Sequence, residues 1–313
     1  MNRFTRITLM LPLLASSIAV CLAPTSAAAQ DAKTFKVAAD VGFVPFFIRN
    51  PSGILEGFSL DLANDVAKRL GFSGAEVIDT PFSAIFAGLF SSRYEMIVAP
   101  TNITAERAQQ MLFAEPYMAG GISFLTKKGA KITQLEDLKG KMIAVNNGSF
   151  SDKWLQENQV KYGYEVQRFN KNADAVQAVA IGRAFANLAE TPLSRWVARE
   201  NPTLQVAHSQ TTGSNFGFAF RKEDTALRNR VDAVIECMKI DGSLSKLHKK
   251  WFGVAPDPGT SMTTVFPGYG APGFDGHEDT PHTAACGKPA AKPAAKPAAK
   301  PASNTMAKPA EKS

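Results

Sequence analysis

Two ionisable residues stand where an alternating strand–helix chain could put them to use. Arg107 opens a helical pattern after the apolar strand Met96–Ala99, and Glu190 directly follows the apolar strand Phe185–Ala189. Open α/β sheets bind ligands beyond the carboxyl ends of their strands, so both positions suit a cleft. A planar guanidinium offers a carboxylate two parallel donors, and a buried carboxylate answers an ammonium. A surface arginine in the first turn of a helix is poorly explained, because the macrodipole favours anions there. An acid that directly follows an apolar strand is equally hard to explain as solvation alone. Other chemistries have little support. His277, Asp279, His282 and Cys286 have chelator-like spacing, but they fall in an irregular stretch without fixed geometry, so no metal site is expected. The chain contains no nucleophile-elbow sequence and no glycine-rich phosphate loop, and no cofactor is implied.

The elements that would position these residues form two series. Strand Phe35–Ala39, helix Ser59–Leu70, strand Ala75–Ile78, helix Ser83–Phe90 and strand Met96–Ala99 make the first. Strand Lys141–Val145, helix Asp152–Lys161, strand Glu165–Phe169, helix Ala173–Ile181 and strand Phe185–Ala189 make the second. Such alternation argues for βαβ units around mostly parallel sheets, and two series imply two α/β lobes. Thr225–Lys239 and Ser243–Lys250 read as closing helices, broken apart at Asp241-Gly242.

The ends differ in kind from this body. Arg3 and Arg6, the apolar run Ile7–Val20 and the small residues Ser26–Ala29 form the three-part pattern of a secretory signal, with cleavage expected after Ala29. A membrane anchor is the alternative, but Pro12 interrupts the run and it falls short of the ~20 residues needed to span a bilayer. From Lys288 the chain repeats Lys-Pro-Ala-Ala, which excludes helix and predicts a disordered, polyproline-like basic tail over 287–313. Such a tail serves as a solubilising tether or touches anionic envelope polymers. The net charge of +7 resides in these two ends, since residues 30–286 carry 27 basic and 27 acidic side chains. A nucleic-acid-binding face would need the basic excess on the body, so no nucleic acid is expected as a partner. Cys21 lies within the signal, which leaves Cys237 and Cys286 in an oxidising compartment. A bridge between them is expected, with two unpaired thiols as the alternative.

The body also resembles a known family. Val44-Pro45-Phe46, Gly57–Leu62, Pro81-Phe82, Thr101–Arg107, Glu115–Tyr117, Leu135–Lys141, Asp241–Leu244 and Lys250–Gly253 occur in the order and spacing found in family 3 solute-binding proteins of polar amino-acid ABC importers. The resemblance covers about residues 33–254. It implies a periplasmic-binding-protein-like fold of two α/β lobes joined by a two-strand hinge, closing on ligand. Lobe 1 would be about 31–119 plus 219–256 and lobe 2 about 120–218, with an irregular extension over 257–286. By the same resemblance Arg107 binds a ligand carboxylate, with Asn102, Ser149 and the Phe150 amide completing the cage. The Pro100 carbonyl and Glu190 meet the ammonium, Asp40 contacts the side chain, and Phe43 and Phe82 sandwich it. Phe150 replaces a threonine of the family pattern, and Glu190 replaces an aspartate. The implied protein is a periplasmic monomer, not an enzyme, that hands an amino acid or related zwitterion to an ABC transporter permease in the inner membrane. Periplasmic cyclohexadienyl dehydratases resemble the same family, so an enzyme of that kind is the main alternative. An envelope ligand sensor is another.

Overall fold

The computed structural model describes residues 33–284 and Cys286. The signal expected over 1–29 and the tail expected over 287–313 lie outside the described residues. The first half runs β1 (Phe35–Ala39), β2 (Ile48–Arg49), β3 (Leu55–Glu56), α1 (Phe58–Arg69), β4 (Ala75–Asp79), α2 (Phe82–Phe90), β5 (Met96–Asn102), α3 (Ala105–Gln110), β6 (Leu112–Phe113) and β7 (Met118–Ala119). Next come β8 (Ile122–Lys127), β9 (Met142–Asn146), α4 (Phe150–Tyr162), β10 (Glu165–Phe169), α5 (Asn172–Ala180), β11 (Ala186–Glu190), α6 (Thr191–Glu200) and β12 (Leu204–Gln210). Strand β13 (Asn215–Phe220) and helices α7 (Thr225–Ile240) and α8 (Ser243–Phe252) end the regular structure.

These strands make two main sheets and a small antiparallel pair, β2-β3. The first has the order β4-β1-β5-β13-β6, with β7 also on β13, and the second β10-β9-β11-β8-β12. β1 lies parallel to β4 and β5, and β9 lies parallel to β10 and β11, as crossover helices require. β13 and β8 run antiparallel to their neighbours. The chain passes between the sheets twice, from β7 to β8 through Gly120-Gly121 and from β12 to β13. The two lobes therefore share a two-stranded connection.

Local sequence explains the elements that matter for the site. α1 buries Phe58, Leu62, Val66 and, one position on, Ser59, Ala63, Ala67, which is one apolar face at helical spacing. It starts after Gly57, whose φ is +145° and whose Cβ position lies 2.2 Å from the Phe46 carbonyl, so only glycine fits. The first sheet packs on an aromatic core in which Phe46 meets Phe58 and Phe216 edge to face at 5.9 and 6.0 Å. β5 extends three residues beyond its expected end, to Asn102. Pro100 fits there because β1 pairs only with Met96 and Ile97 and the register with β13 shifts opposite the proline, so it has no paired residue on either side.

The segment after α8 differs from its expected lack of fixed geometry. It contains almost no regular structure beyond one bridge, Tyr269 to Glu278, yet it is packed along α7. The reason is a row of buried charged residues on that helix, Arg228, Asp232, Glu236 and Lys239. Arg228 donates to the Phe113 and Gly276 carbonyls at 3.2 and 2.7 Å and pairs with Glu278 at 2.7 Å. Asp232 accepts from the Gly270 amide at 2.8 Å, and Glu236 meets His282 at 2.7 Å. Lys239 donates to the Thr264 carbonyl at 2.8 Å. His277 pairs with Asp279 at 2.9 Å, so the spacing that looked chelator-like serves separate partners. Cys286 is joined to Cys237 in a disulfide, with the two Cα atoms 5.2 Å apart.

Candidate functional site

Four polar side chains mark the carboxyl ends of four strands. Asp40 follows β1, Asn102 ends β5, Asn146 ends β9 and Glu190 ends β11. All four are buried, at 2%, 2%, 3% and 3% exposure. They converge because the two sheets point these ends at each other, the arrangement expected for a ligand cleft in open α/β sheets.

Together with Phe43, Phe82, Ala99, Pro100, Ser149 and Phe150 they line one small space. Eight of the nine ligand residues expected from the sequence are thus gathered around one space. Arg107 lines the adjoining cleft with Phe86, Gly148, Ser149 and Phe150, so Ser149 and Phe150 border both spaces.

Arg107 is held by its neighbours on both sides of the cleft. Its amide donates to the Thr104 hydroxyl at 3.2 Å, the capping bond that starts α3. Its guanidinium donates to the Asn102 carbonyl at 3.0 Å and the Gly148 carbonyl at 3.3 Å, one from each sheet's side. It also lies 5.6 Å from the Phe82 ring centroid and 5.1 Å from that of Phe86. Burial lowers its pKa to about 10, against the pull of Glu190 and Glu106. It remains a cation at neutral pH.

Glu190 is the opposite pole. Burial pushes its carboxyl up to about 7, and Arg107 and the Asn102 amide act the other way. Asn102 Nδ2 donates to Glu190 Oε1 at 3.3 Å across the cleft, while Asn102 Oδ1 has no partner among the described residues. A buried acceptor without a donor is costly, and a ligand amine could satisfy it. Ser149 caps α4, accepting from the Asp152 amide at 3.0 Å, which presents the Phe150 amide at the helix start.

Asp40 is already engaged. Lys171, just before α5, places Nζ 2.8 Å from Asp40 Oδ1 and 2.5 Å from Asp79 Oδ1. Burial raises the Asp40 carboxyl, and Lys171 draws it back down. Sequence reasoning missed Lys171, Asn146 and Phe86. Asn146 carried a usable signal, a polar residue closing an apolar strand, and Phe86 lies one helical turn from Phe82. Nothing local to Lys171 points to Asp40. Lys153 pairs with Glu106 as well, so contacts from both sheets' sides bridge the cleft.

Comparison with known proteins agrees with this architecture. Residues 35–254 match the family model for bacterial extracellular solute-binding proteins, family 3. The L-cystine-binding protein TcyJ of Escherichia coli K12 is 31% identical over 223 residues, covering 70% of this chain and 83% of the relative. An ancestral arginine-binding protein solved with arginine is 32% identical, with a TM-score of 0.67 over 71% of this chain and all of that one. The ancestral amino-acid-binding protein AncCDT-1, a precursor of cyclohexadienyl dehydratase, is 33% identical with a TM-score of 0.65, covering 70% of this chain and 95% of that one.

Proposed function

The chain belongs to the bacterial extracellular solute-binding proteins of family 3, and on that footing we propose that it captures an amino acid or related small zwitterion between its lobes. The observation that carries this reading is the buried Glu190, which lines the space adjoining Arg107's cleft and has the Asn102 amide as its side-chain donor. A zwitterion supplies what each pole lacks: a carboxylate for Arg107, the Ser149 region and the Phe150 amide, and an ammonium for Glu190 and the Pro100 carbonyl. Phe43, Phe82 and Phe150 give its side chain apolar area. The lobes divide at about 31–119 with 219–256, and 120–218, and they close about the two connections.

Loaded protein would then dock as a monomer on an inner-membrane ABC transporter permease, after export to the periplasm and cleavage behind Ala29. The chain acts as a binding protein and not as an enzyme. Its kinship with a dehydratase precursor is tested by incubation with prephenate or arogenate, where turnover would replace capture by catalysis. The capture reading is tested by titrating the exported protein with the twenty amino acids and following its melting temperature, since a ligand at 100-fold its Kd adds about 2.7 kcal/mol. Arg107→Ala should abolish the shift while leaving the ligand-free fold intact. A shift unchanged in Arg107→Ala would remove the assignment.

A further inference from the structure

The Asp40–Lys171 pair is a feature that capture of a zwitterion does not by itself require. Arg107 and Glu190 already answer the two main-chain charges. Asp40 is a third ionised group in the wall, beside Phe43 and Phe82, the rings placed to hold a side chain. Alone, a buried carboxylate next to aromatic faces would attract a guanidinium or ammonium side chain. It is not alone. Lys171 reaches over from the side of the second sheet, its Nζ 2.8 Å from Asp40 Oδ1, and Asn146 Nδ2 stands 3.5 Å from Asp40 Oδ2. Asp79 shares the same ammonium from the outside, where it is 44% exposed and screened by water.

We propose that Lys171 sets the charge of the side chain this protein accepts: by neutralising Asp40 in the closed cleft, it makes the cavity select amino acids with neutral, apolar or aromatic side chains and reject cationic ones. The proposal rests on the reading of the cleft as an amino-acid site. A cationic side chain entering between Phe43 and Phe82 would meet a carboxylate whose charge is already matched, with the Lys171 ammonium close behind it. Like charges at such range oppose each other strongly when partly buried. A neutral side chain meets three aromatic rings and disturbs no pair. Lys171 lies 131 residues from Asp40 in sequence and comes from the opposite side of the cleft. The neutralisation therefore belongs to the closed form.

The test is isothermal titration of the exported full chain with L-phenylalanine, L-leucine, L-arginine and L-lysine. The wild type should bind the neutral probes and prefer them to L-arginine. Lys171→Met keeps the aliphatic stem and removes the charge, so the affinity for L-arginine relative to L-phenylalanine should rise at least tenfold. Lys171→Gln should move the ratio in the same direction, and Lys171→Arg, which keeps the charge, should hold it near the wild-type value. An unchanged ratio in both neutral variants, or a wild type that already prefers L-arginine, overturns the proposal. If Arg107→Ala abolishes binding in that case, the capture reading stands without it. If no probe binds the wild type or any variant, this proposal falls, while the capture reading is decided separately by the melting-temperature screen of all twenty amino acids.

Discussion

Lys239→Met should be among the most damaging single substitutions in the body, although it lies far from the cleft. The Lys239 ammonium is buried, donates to the Pro116 carbonyl at 2.7 Å and the Thr264 carbonyl at 2.8 Å, and forms an ion pair with Glu115 Oε1 at 2.8 Å. Methionine fills similar volume and supplies none of these donors, so the Glu115 carboxylate is left buried without its cation. Removing one partner of a buried pair costs about 3–5 kcal/mol, because the other charge stays desolvated. At roughly 2–4 °C per kcal/mol for a body of this size, Tm should fall by about 6–20 °C. The loss should depend on pH. Burial already holds the Glu115 carboxyl above the usual carboxylate range, with Lys239 pulling it down. Without Lys239 it rises further. A carboxyl raised in the folded state contributes stability below its unfolded pKa that is lost as pH rises through the folded value. The variant should thus be damaged less at pH 5, where Glu115 takes a proton, than at pH 8. Adding Glu115→Gln should recover part of the loss at pH 8, since the amide oxygen can still accept from the Phe266 amide, now 3.1 Å from Glu115 Oε2. The assay is calorimetric melting of wild type, single and double variants at both pH values. A loss below about 1 kcal/mol at pH 8, or an equal loss at both, would refute the reasoning.

Three further outcomes are expected. Ligand-free wild type should lose up to a few kcal/mol of stability as pH rises from about 4.5 to 7 on account of Glu190, whose carboxyl burial pushes up to about 7. Glu190→Gln should flatten that slope in urea unfolding, and equal slopes would show that the carboxyl is not held in this way. Replacing Cys237 and Cys286 together by serine should lower the unfolding free energy by up to about 4 kcal/mol, the chain-entropy scale for residues 49 apart, and unchanged stability would mean that the clamp adds nothing. Gly268→Ala should cost more than about 1 kcal/mol, because Gly268 has φ +75° and its Cβ position lies 2.2 Å from the Glu278 carbonyl oxygen; a silent substitution would show that the segment after α8 is free to move.

Much of the architecture was legible in the sequence because it rests on local rules. Alternating apolar runs and helical patterns located the two strand–helix series, and most element ends fell within a residue or two of those observed. Polar residues at strand ends, such as Glu190, stood out because an acid closing an apolar run has no cheap structural role. The same logic missed Asn146, whose place at the end of β9 is equivalent. Periodicity left other features unmarked. Arg228, Asp232, Glu236 and Lys239 recur at helical spacing on α7, and they are buried under a segment that no pattern marks as packed.

What the sequence determined by itself was the kind of element each stretch forms and which residues stand at its ends, since backbone propensity, apolar period and capping act over a few residues. Which charges meet was decided only by the tertiary structure. Asp40 gained Lys171, Glu190 gained Asn102, and Lys239 gained Glu115 through separations of 131, 88 and 124 residues. Those pairings follow from how two sheets and a closing segment are packed together, where burial makes an unmatched charge too costly to leave and local periodicity carries no information about its partner.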